Sequence, residues 1–440
     1  MIVYKFGGTS VGSPQRMHKV ANLITQDEEP RIVVLSAVSG TTNKLVAIGS
    51  ALTELRKSAA RDAIGQLRNE YEEFIDKLFK SEEGRDEGAR ILENYFEDLD
   101  ALSGIPDFNE GNNKTLLAIG ELLSTNLFHA YLKEHEINAV LLPALDFMSI
   151  DQNGEPEIPR ISQRLTELLE SKKDASLFIT QGFICRNPLG QTDNLKRGGS
   201  DYSASLIGAA IQAREVQIWT DIDGMHNNDP RVVDKTHPIS SLTFDEAAEL
   251  AYFGAKILHP SSIQPAQKFG IPVWLKSTID ENAYGTLIGE KSDEISIKAI
   301  AAKDQITAIK IKSSRMLLAH GFLRKVFEIF EKYATPIDMI TTSEVAVSLT
   351  IDDTVQLDNI IRELKMFGQV AVDTDMSIIC IVGNLITEKS GVIRQVFDAL
   401  GEIPIRMVSI GGSKNNISIL VETRYKKEAL VALNNDLFSD

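Results

Sequence analysis

Five short apolar runs, separated by stretches long enough for helices, limit what this chain can fold into more than any other feature. They are Met1 to Phe6, Arg31 to Leu35, Ala139 to Pro143, Leu177 to Phe183 and Val216 to Thr220. Mostly apolar strands alternating with helical segments predict a mostly parallel sheet covered on both faces, an α/β fold. In such sheets ligands bind outside the carboxyl ends of the strands. The residues that follow each run are therefore the first place to look for chemistry.

After the first run comes Gly7-Gly-Thr-Ser-Val-Gly-Ser-Pro14, a glycine turn feeding a helix, with Ser13 as N-cap and Pro14 in the first turn. Backbone N–H groups in such a turn can face a phosphate. Lys5 can add a point charge, although a tight turn with a surface lysine explains the stretch equally well. Neither G-x-x-x-x-G-K-[ST] nor G-x-G-x-x-G occurs, so this is neither a P-loop nor a dinucleotide fingerprint. After the second run, Ser36, Ser39, Gly40, Thr42 and Asn43 supply hydroxyl, amide and backbone donors. An ordinary hydroxyl-rich helix cap is an equally good reading there.

Residues 51–110 are rich in Glu, Lys, Arg and Asp with apolar residues at helical spacing, and predict charged amphipathic helices without chemistry. Thr115 to Leu132 predicts a long, mostly apolar helix. Glu121 within it either meets a substrate ammonium group or lies on an exposed stripe, which local sequence slightly favours. Thr192 to Leu206 is the sharpest segment: Arg197 precedes Gly198-Gly199, then Ser200 and Asp201 open an apolar helix. An arginine fork matches a carboxylate, and a helix N-terminus adds partial positive charge. Thr220, Asp221 and Asp223 end the fifth run. The helix from Asp245 to Leu258 contains Lys256, whose commoner role there is to favour the helix C-terminus.

Composition excludes several function classes. With 46 basic and 62 acidic residues in 440, the net charge is −16, which opposes a nucleic-acid partner. The two cysteines, Cys185 and Cys380, form no framework and fit a reducing cytoplasm. No apolar run reaches transmembrane length and no secretory leader is evident, so no membrane association is expected.

Beyond Gly285 to Asp293 the pattern shortens and repeats. Gly321-Phe-Leu-Arg-Lys-Val-Phe-Glu-Ile-Phe330 echoes Gly391-Val-Ile-Arg-Gln-Val-Phe-Asp-Ala-Leu400, and each is followed by two strands. Two copies of a small β-α-β-β-α-β module are expected. The boundaries read as 1–292, 293–375 and 376–440, with a strand near 296–310 able to pair with the second module.

Taken in order, Lys5-Phe-Gly-Gly-Thr-Ser-Val, Gly120-Glu-Leu-Leu-Ser-Thr, Arg197-Gly-Gly-Ser-Asp-Tyr, Trp219-Thr-Asp and Phe253-Gly-Ala-Lys-Ile-Leu-His-Pro, with the paired modules, resemble the aspartate kinases. The resemblance covers nearly the whole chain. It implies a three-layer α/β/α amino-acid-kinase domain followed by two ferredoxin-like ACT modules, and transfer of phosphate from MgATP to the side-chain carboxylate of L-aspartate. It reverses the local reading of Glu121 and Lys256. It implies Lys5, Asp201 and Lys256 in catalysis. The aspartate pocket would be Ser36, Thr42, Glu121, Phe183, Arg197 and Ser200. The nucleotide would meet Gly7, Gly8, Thr220, Asp221, His226, Arg231 and Lys256; His226 stands where the family often has tyrosine. No dedicated protein metal site is expected beside the Mg²⁺ that accompanies ATP.

The first module resembles the lysine-inhibited branch of the family. That implies an effector site at Met316, Gly321, Phe322, Ile337, Asp338, Ser343 and Glu344, in a homodimer or dimer of dimers formed through the modules. Ala319 replaces a serine frequent in the family. No homoserine dehydrogenase part is expected. Two rivals are a sister kinase acting on another carboxylate and an inactive amino-acid sensor. The Arg197 and Glu121 motifs oppose the first, and retention of Lys5, Arg197, Asp201 and Lys256 opposes the second.

Overall fold

The computed structural model describes residues 1–195, 198–254, 258–291, 297–313 and 320–438. They group into two compact units, residues 1–225 with 258–290, and residues 226–257 with 291–440.

The first unit begins with β1 (Ile2–Phe6), α1 (Pro14–Ile24), β2 (Arg31–Leu35) and α2 (Thr41–Thr53). Two long helices follow, α3 (Lys57–Leu78) and α4 (Glu82–Gly104), and then α5 (Glu110–Glu134). Next come β3 (Val140–Leu141), α6 (Ala144–Phe147), α7 (Ile158–Glu170) and β4 (Leu177–Gln181). The hairpin β5 (Ile184–Arg186) and β6 (Thr192–Asn194), then α8 (Gly199–Ile211) and β7 (Val216–Thr220), complete the first part. After β8 (Ser241–Thr243) and α9 (Phe244–Tyr252), which group with the second unit, the first unit closes with α10 (Gln264–Lys268), β9 (Val273–Ser277) and β10 (Thr286–Gly289).

Its sheet runs β3-β4-β2-β1-β7-β9-β10, parallel except for β10. All the expected strands are present. α1 starts as the sequence predicts, with Ser13 Oγ accepting from Arg16 N and Pro14 in the first turn. The charged stretch 57–104 forms two amphipathic helices whose apolar stripes, including Leu67, Tyr71, Leu92, Phe96 and Leu99, join the core beside the sheet. Their opposite faces carry the charge into solvent, as the periodicity requires.

The register positions the site. Phe6 pairs with Leu35 and with Trp219, and Leu35 pairs with Gln181. Gly7, Ser36, Gly182 and Thr220 therefore emerge side by side at the carboxyl edge of the sheet.

The second unit contains β11 (Ile297–Lys312), α11 (Phe322–Lys332), β12 (Ile340–Thr342), β13 (Ala346–Ile351), α12 (Leu357–Leu364), β14 (Gln369–Gly383), α13 (Val392–Leu400), β15 (Met407–Ile410), β16 (Asn416–Glu422) and α14 (Lys426–Leu437). These strands form one antiparallel sheet, β12-β13-β11-β14-β16-β15. The duplication is present, and the strand expected near 296–310 pairs with β14, as the sequence reading allowed. β11 and β14 each run 15 residues or more and are shared. The first half of β11 pairs with the end of β14, and its second half with the start of β14. Two cores form on this shared sheet, one around Val326, Phe330 and Ile360, the other around Val396, Leu430 and Ile417.

Candidate active site

The glycine turn lies against the loop after β2. Ser10 N and Val11 N both donate to the Gly7 carbonyl, at 2.9 and 3.2 Å. A Cβ on Gly8 would come 2.9 Å from the Ala37 carbonyl oxygen, so no larger residue fits without moving backbone. Lys5 folds over this turn, and its ammonium lies 2.7 Å from Asp201 Oδ1. Both side chains are largely shielded, at 11% and 17% exposure. Asp201 sits in the first turn of α8, where the helix dipole also favours a carboxylate. The sequence offered Lys5 and Asp201 as separate candidates; the structure joins them.

Ser36 Oγ donates to Ser200 Oγ at 2.8 Å, which ties the loop after β2 to the start of α8. Gly182 makes this approach possible, since a Cβ there would fall 2.3 Å from Ser200 Oγ. The next residue, Phe183, has φ of 65°, an unusual backbone conformation for a bulky residue. Its N–H donates to Ser203 Oγ at 2.8 Å, and its carbonyl accepts from Leu195 N at 2.7 Å. These two bonds, one to α8 and one to the stretch after β6, hold the strained turn in place. Thr42 is half-buried in the first turn of α2.

Glu121 is the clearest departure from the local reading. It is not on an exposed stripe but is 4% exposed, in a helix whose buried residues lie on every face. Gly120 lets α5 approach the loop after β2, where a Cβ would meet that of Ala37 at 3.0 Å. Glu121 Oε1 accepts from Ala37 N at 3.3 Å, while Oε2 is buried with no hydrogen-bond partner. Burial raises its carboxyl to about 7, against a lowering by the Ala37 N–H. A buried carboxylate with one empty oxygen suits an incoming ammonium group.

Of the expected nucleotide residues, Thr220 and Asp221 belong to this unit, and Thr220 Oγ1 donates to Asp221 Oδ1 at 3.2 Å. His226 and Arg231 group with the second unit. There His226 Nδ1 lies 2.9 Å from Thr236 Oγ1. Arg231 is exposed and grips Asp229 with two donors, Nε to Oδ1 at 2.9 Å and Nη2 to Oδ2 at 2.8 Å. Arg197, Lys256, Met316 and Ala319 lie outside the described residues.

Around the expected effector site, Gly321 has φ of 80° and precedes α11, whose first residue, Phe322, is buried. Ile337 is half-buried, and Ser343 and Glu344 are exposed. Ser343 N donates to the Ala346 carbonyl at 2.8 Å. Asp338 has a buried side chain that accepts the Lys303 ammonium at 2.8 Å. Sequence reasoning missed Lys303, Gly182 and the Ala37 N–H. Only long-range packing brings them to their partners, and no local motif marks them.

Among the described residues no helix is long and apolar enough to cross a membrane, and no group of three or more His, Cys, Asp or Glu side chains is placed to hold a metal ion.

The amino acid kinase family profile matches residues 1–277, and an ACT domain profile matches residues 379–437. The chain is 35% identical to lysine-sensitive aspartokinase 3 of Escherichia coli K12, across 100% of this chain and 99% of that protein. The crystal structure of E. coli aspartokinase III in complex with aspartate and ADP (R-state) superposes with a TM-score of 0.84 at 34% identity, covering 100% of both chains. The same enzyme in complex with lysine and aspartate (T-state) superposes with a TM-score of 0.84, again at 34% identity and full coverage.

Proposed function

The chain belongs to the aspartokinases of the amino acid kinase family, and from that premise we propose how its own residues carry the reaction. The reaction is transfer of the ATP γ-phosphoryl group to the side-chain carboxylate of L-aspartate, giving 4-phospho-L-aspartate and ADP. It is the first step toward lysine, threonine and methionine. The observation that carries the residue assignment is the carboxyl edge of the sheet. There the Lys5–Asp201 pair, the glycine turn and the half-empty carboxylate of Glu121 border the same two loops.

The nucleophile needs no base, because a carboxylate with an ordinary pKa near 4 is ionised at neutral pH. The barrier is the approach of one anion to another, so catalysis is positioning and charge neutralisation. Lys5 exchanges Asp201 for the transferring phosphoryl, and Asp201 keeps the ammonium aimed at the turn until substrate arrives. The N–H groups of the glycine turn receive phosphate oxygens. The open oxygen of Glu121 takes the aspartate ammonium, and Arg197 takes a carboxylate. Ser36, Thr42, Phe183 and Ser200 shape the pocket between them. Thr220, Asp221, His226, Arg231 and Lys256 contact the nucleotide. Mg²⁺ supplies further charge neutralisation on the phosphates when bound.

The regulatory reading is feedback inhibition by L-lysine, bound at Gly321, Phe322, Ile337, Asp338, Ser343 and Glu344, with Met316, in a cytoplasmic homodimer or dimer of dimers joined through the ACT modules. Its support is Asp338, which already accepts one ammonium, that of Lys303. The corresponding division of the chain is a kinase domain over 1–292 and ACT modules over 293–375 and 376–440. Trapping the acyl phosphate with hydroxylamine tests the activity: aspartyl hydroxamate must form from L-aspartate and ATP. Product from glutamate or N-acetylglutamate instead would assign a sister kinase. Repeating the assay with lysine and with threonine tests the effector.

A further inference from the structure

The side chain of Asp338 is 1% exposed, and its two oxygens are used unequally. Oδ1 receives the Lys303 ammonium at 2.8 Å and the Tyr252 hydroxyl at 2.9 Å. Oδ2 is buried and has no hydrogen-bond partner. Lys303 also reaches Asp352 Oδ2 at 2.8 Å, and its ammonium sits 4.5 Å from the centre of the Tyr252 ring. Two carboxylates, one ammonium and one phenol from α9, β11, the stretch before β12 and the end of β13 thus form a single cluster. Its formal charge is −1, so one further cation can enter without a charge penalty.

The cluster persists at neutral pH. Burial and the Asp338 charge push the Tyr252 hydroxyl up to about 12, so it stays a donor. Burial alone would lower Lys303, but its hydrogen bonds to Asp338 and Asp352 outweigh that and raise it.

Two backbone features connect the cluster to its surroundings. Gly254, two residues after Tyr252, has φ of 125°, and a Cβ there would fall 2.2 Å from the carbonyl oxygen of Ala302, the neighbour of Lys303. On the other side of Lys303 the pairing of β11 with β14 shifts register before Ile306, and Gln305 takes φ of 61°. Lys303 therefore stands at a joint in the shared strand, packed through side chain and backbone against the end of α9. Lys256 follows that end by four residues in sequence.

We propose that Tyr252 and Lys303 couple effector binding at Asp338 to the nucleotide-contacting stretch that follows α9. An effector ammonium that takes the open oxygen of Asp338 competes with Lys303 and Tyr252 for the carboxylate. The contact it loosens is the one that fixes the end of α9. Coupling requires contacts that differ between the free and bound states, and this cluster supplies them. The inference rests on the reading of Asp338 as an effector ligand. Tyr252 and Lys303 touch no substrate in it and act as positioning residues.

The test separates binding from inhibition. L-lysine binding is measured by calorimetry on the full chain, and residual activity and the KM for ATP are measured at saturating lysine. Tyr252→Phe deletes one hydroxyl from a half-exposed ring and leaves the fold unburdened. Because it removes the contact that the effector would loosen, it is expected to bind lysine within a few-fold of wild type, to raise the KM for ATP already without lysine, and to show about tenfold less further inhibition at saturation. Lys303→Met removes the competing cation and is expected to tighten lysine binding by about tenfold. Full wild-type inhibition in Tyr252→Phe overturns the coupling, and unchanged lysine affinity in folded Lys303→Met overturns the competition. A wild-type protein that binds neither lysine nor threonine overturns the effector reading itself, and the inference with it.

Discussion

Replacing Glu121 by glutamine should stabilise the kinase unit while impairing its use of aspartate. Burial holds the Glu121 carboxyl near 7 in the folded chain, against an ordinary value of 4.5. A carboxyl raised on folding contributes stability that is fully present below pH 4.5 and is lost as pH rises through about 7. The shift of about 2.5 units corresponds to about 3 kcal/mol, of which roughly 2.5 kcal/mol falls between pH 5 and pH 8. Glutamine keeps the shape and the acceptor for Ala37 N but does not titrate. Glu121→Gln should therefore match wild type within about 1 kcal/mol at pH 5 and exceed it by about 2–3 kcal/mol at pH 8. The assay is urea unfolding followed by tryptophan fluorescence at the two pH values. The chain's two tryptophans, Trp219 and Trp274, both lie in the first unit, so the signal reports that unit alone. At pH 8 the KM for aspartate should rise about 10- to 100-fold, the worth of one charged hydrogen bond, with the KM for ATP little changed. Identical pH dependence of the unfolding midpoint in wild type and variant would refute the titration argument. An unchanged KM for aspartate would refute the ammonium contact.

Other outcomes follow from the same geometry. Below pH 7 the apparent affinity for aspartate should fall by up to about tenfold per pH unit, because the ammonium needs an ionised Glu121; a flat profile in wild type would remove Glu121 from the pocket. Lys5→Ala should lower kcat by about 10²–10³ with unchanged circular dichroism, and a few-fold loss would reassign the charge. Arg197→Lys should raise the KM for aspartate more than that for ATP, since a point charge does not reproduce a fork; equal effects would move Arg197 to the phosphates. Glu344→Ala, at an exposed position, should relieve lysine inhibition at unchanged basal rate, which a lysine titration of the variant checks.

The parts of this protein written in local chemistry were legible in sequence. β1, the glycine turn and the Ser13 cap depend on neighbours a few residues away, and so does the echo of α11 in α13. The pocket was not legible in the same way. Ser36 meets Ser200 only because three strands share a register and Gly182 leaves room, contacts that span more than 160 positions. Glu121 misled local reasoning because α5 is covered almost all round. Leu116, Ala118, Ile119 and Phe128 point to different faces and are all buried, so no polar stripe marked the residue as inward or outward. The pairing of the strand near 296–310 with the second module was legible, but the full length of β11 and β14 was not. A continuous run of 15 residues or more reads as two short strands when each repeat is considered alone.

The two units carry the same device. Among the described residues, Glu121 in the kinase unit and Asp338 in the regulatory unit are each buried carboxylates with one oxygen engaged by an internal donor and the other without a hydrogen-bond partner. Glu246 also has a buried oxygen without a hydrogen-bond partner, but its other oxygen closes a capping box with Thr243, which gives it a structural role. An unsatisfied buried acceptor costs about 1–3 kcal/mol, more when charged, and a fold keeps such a group where a ligand restores the missing partner. Both proposed ligands are amino acids, and what both present to a carboxylate is an ammonium group. The difference lies in the internal partner. Glu121 is held by a backbone N–H, which cannot be displaced without moving the loop after β2, so its pocket is rigid and suits a substrate. Asp338 is held by a lysine and a tyrosine, whose side chains can exchange partners, so its pocket can report that it is filled.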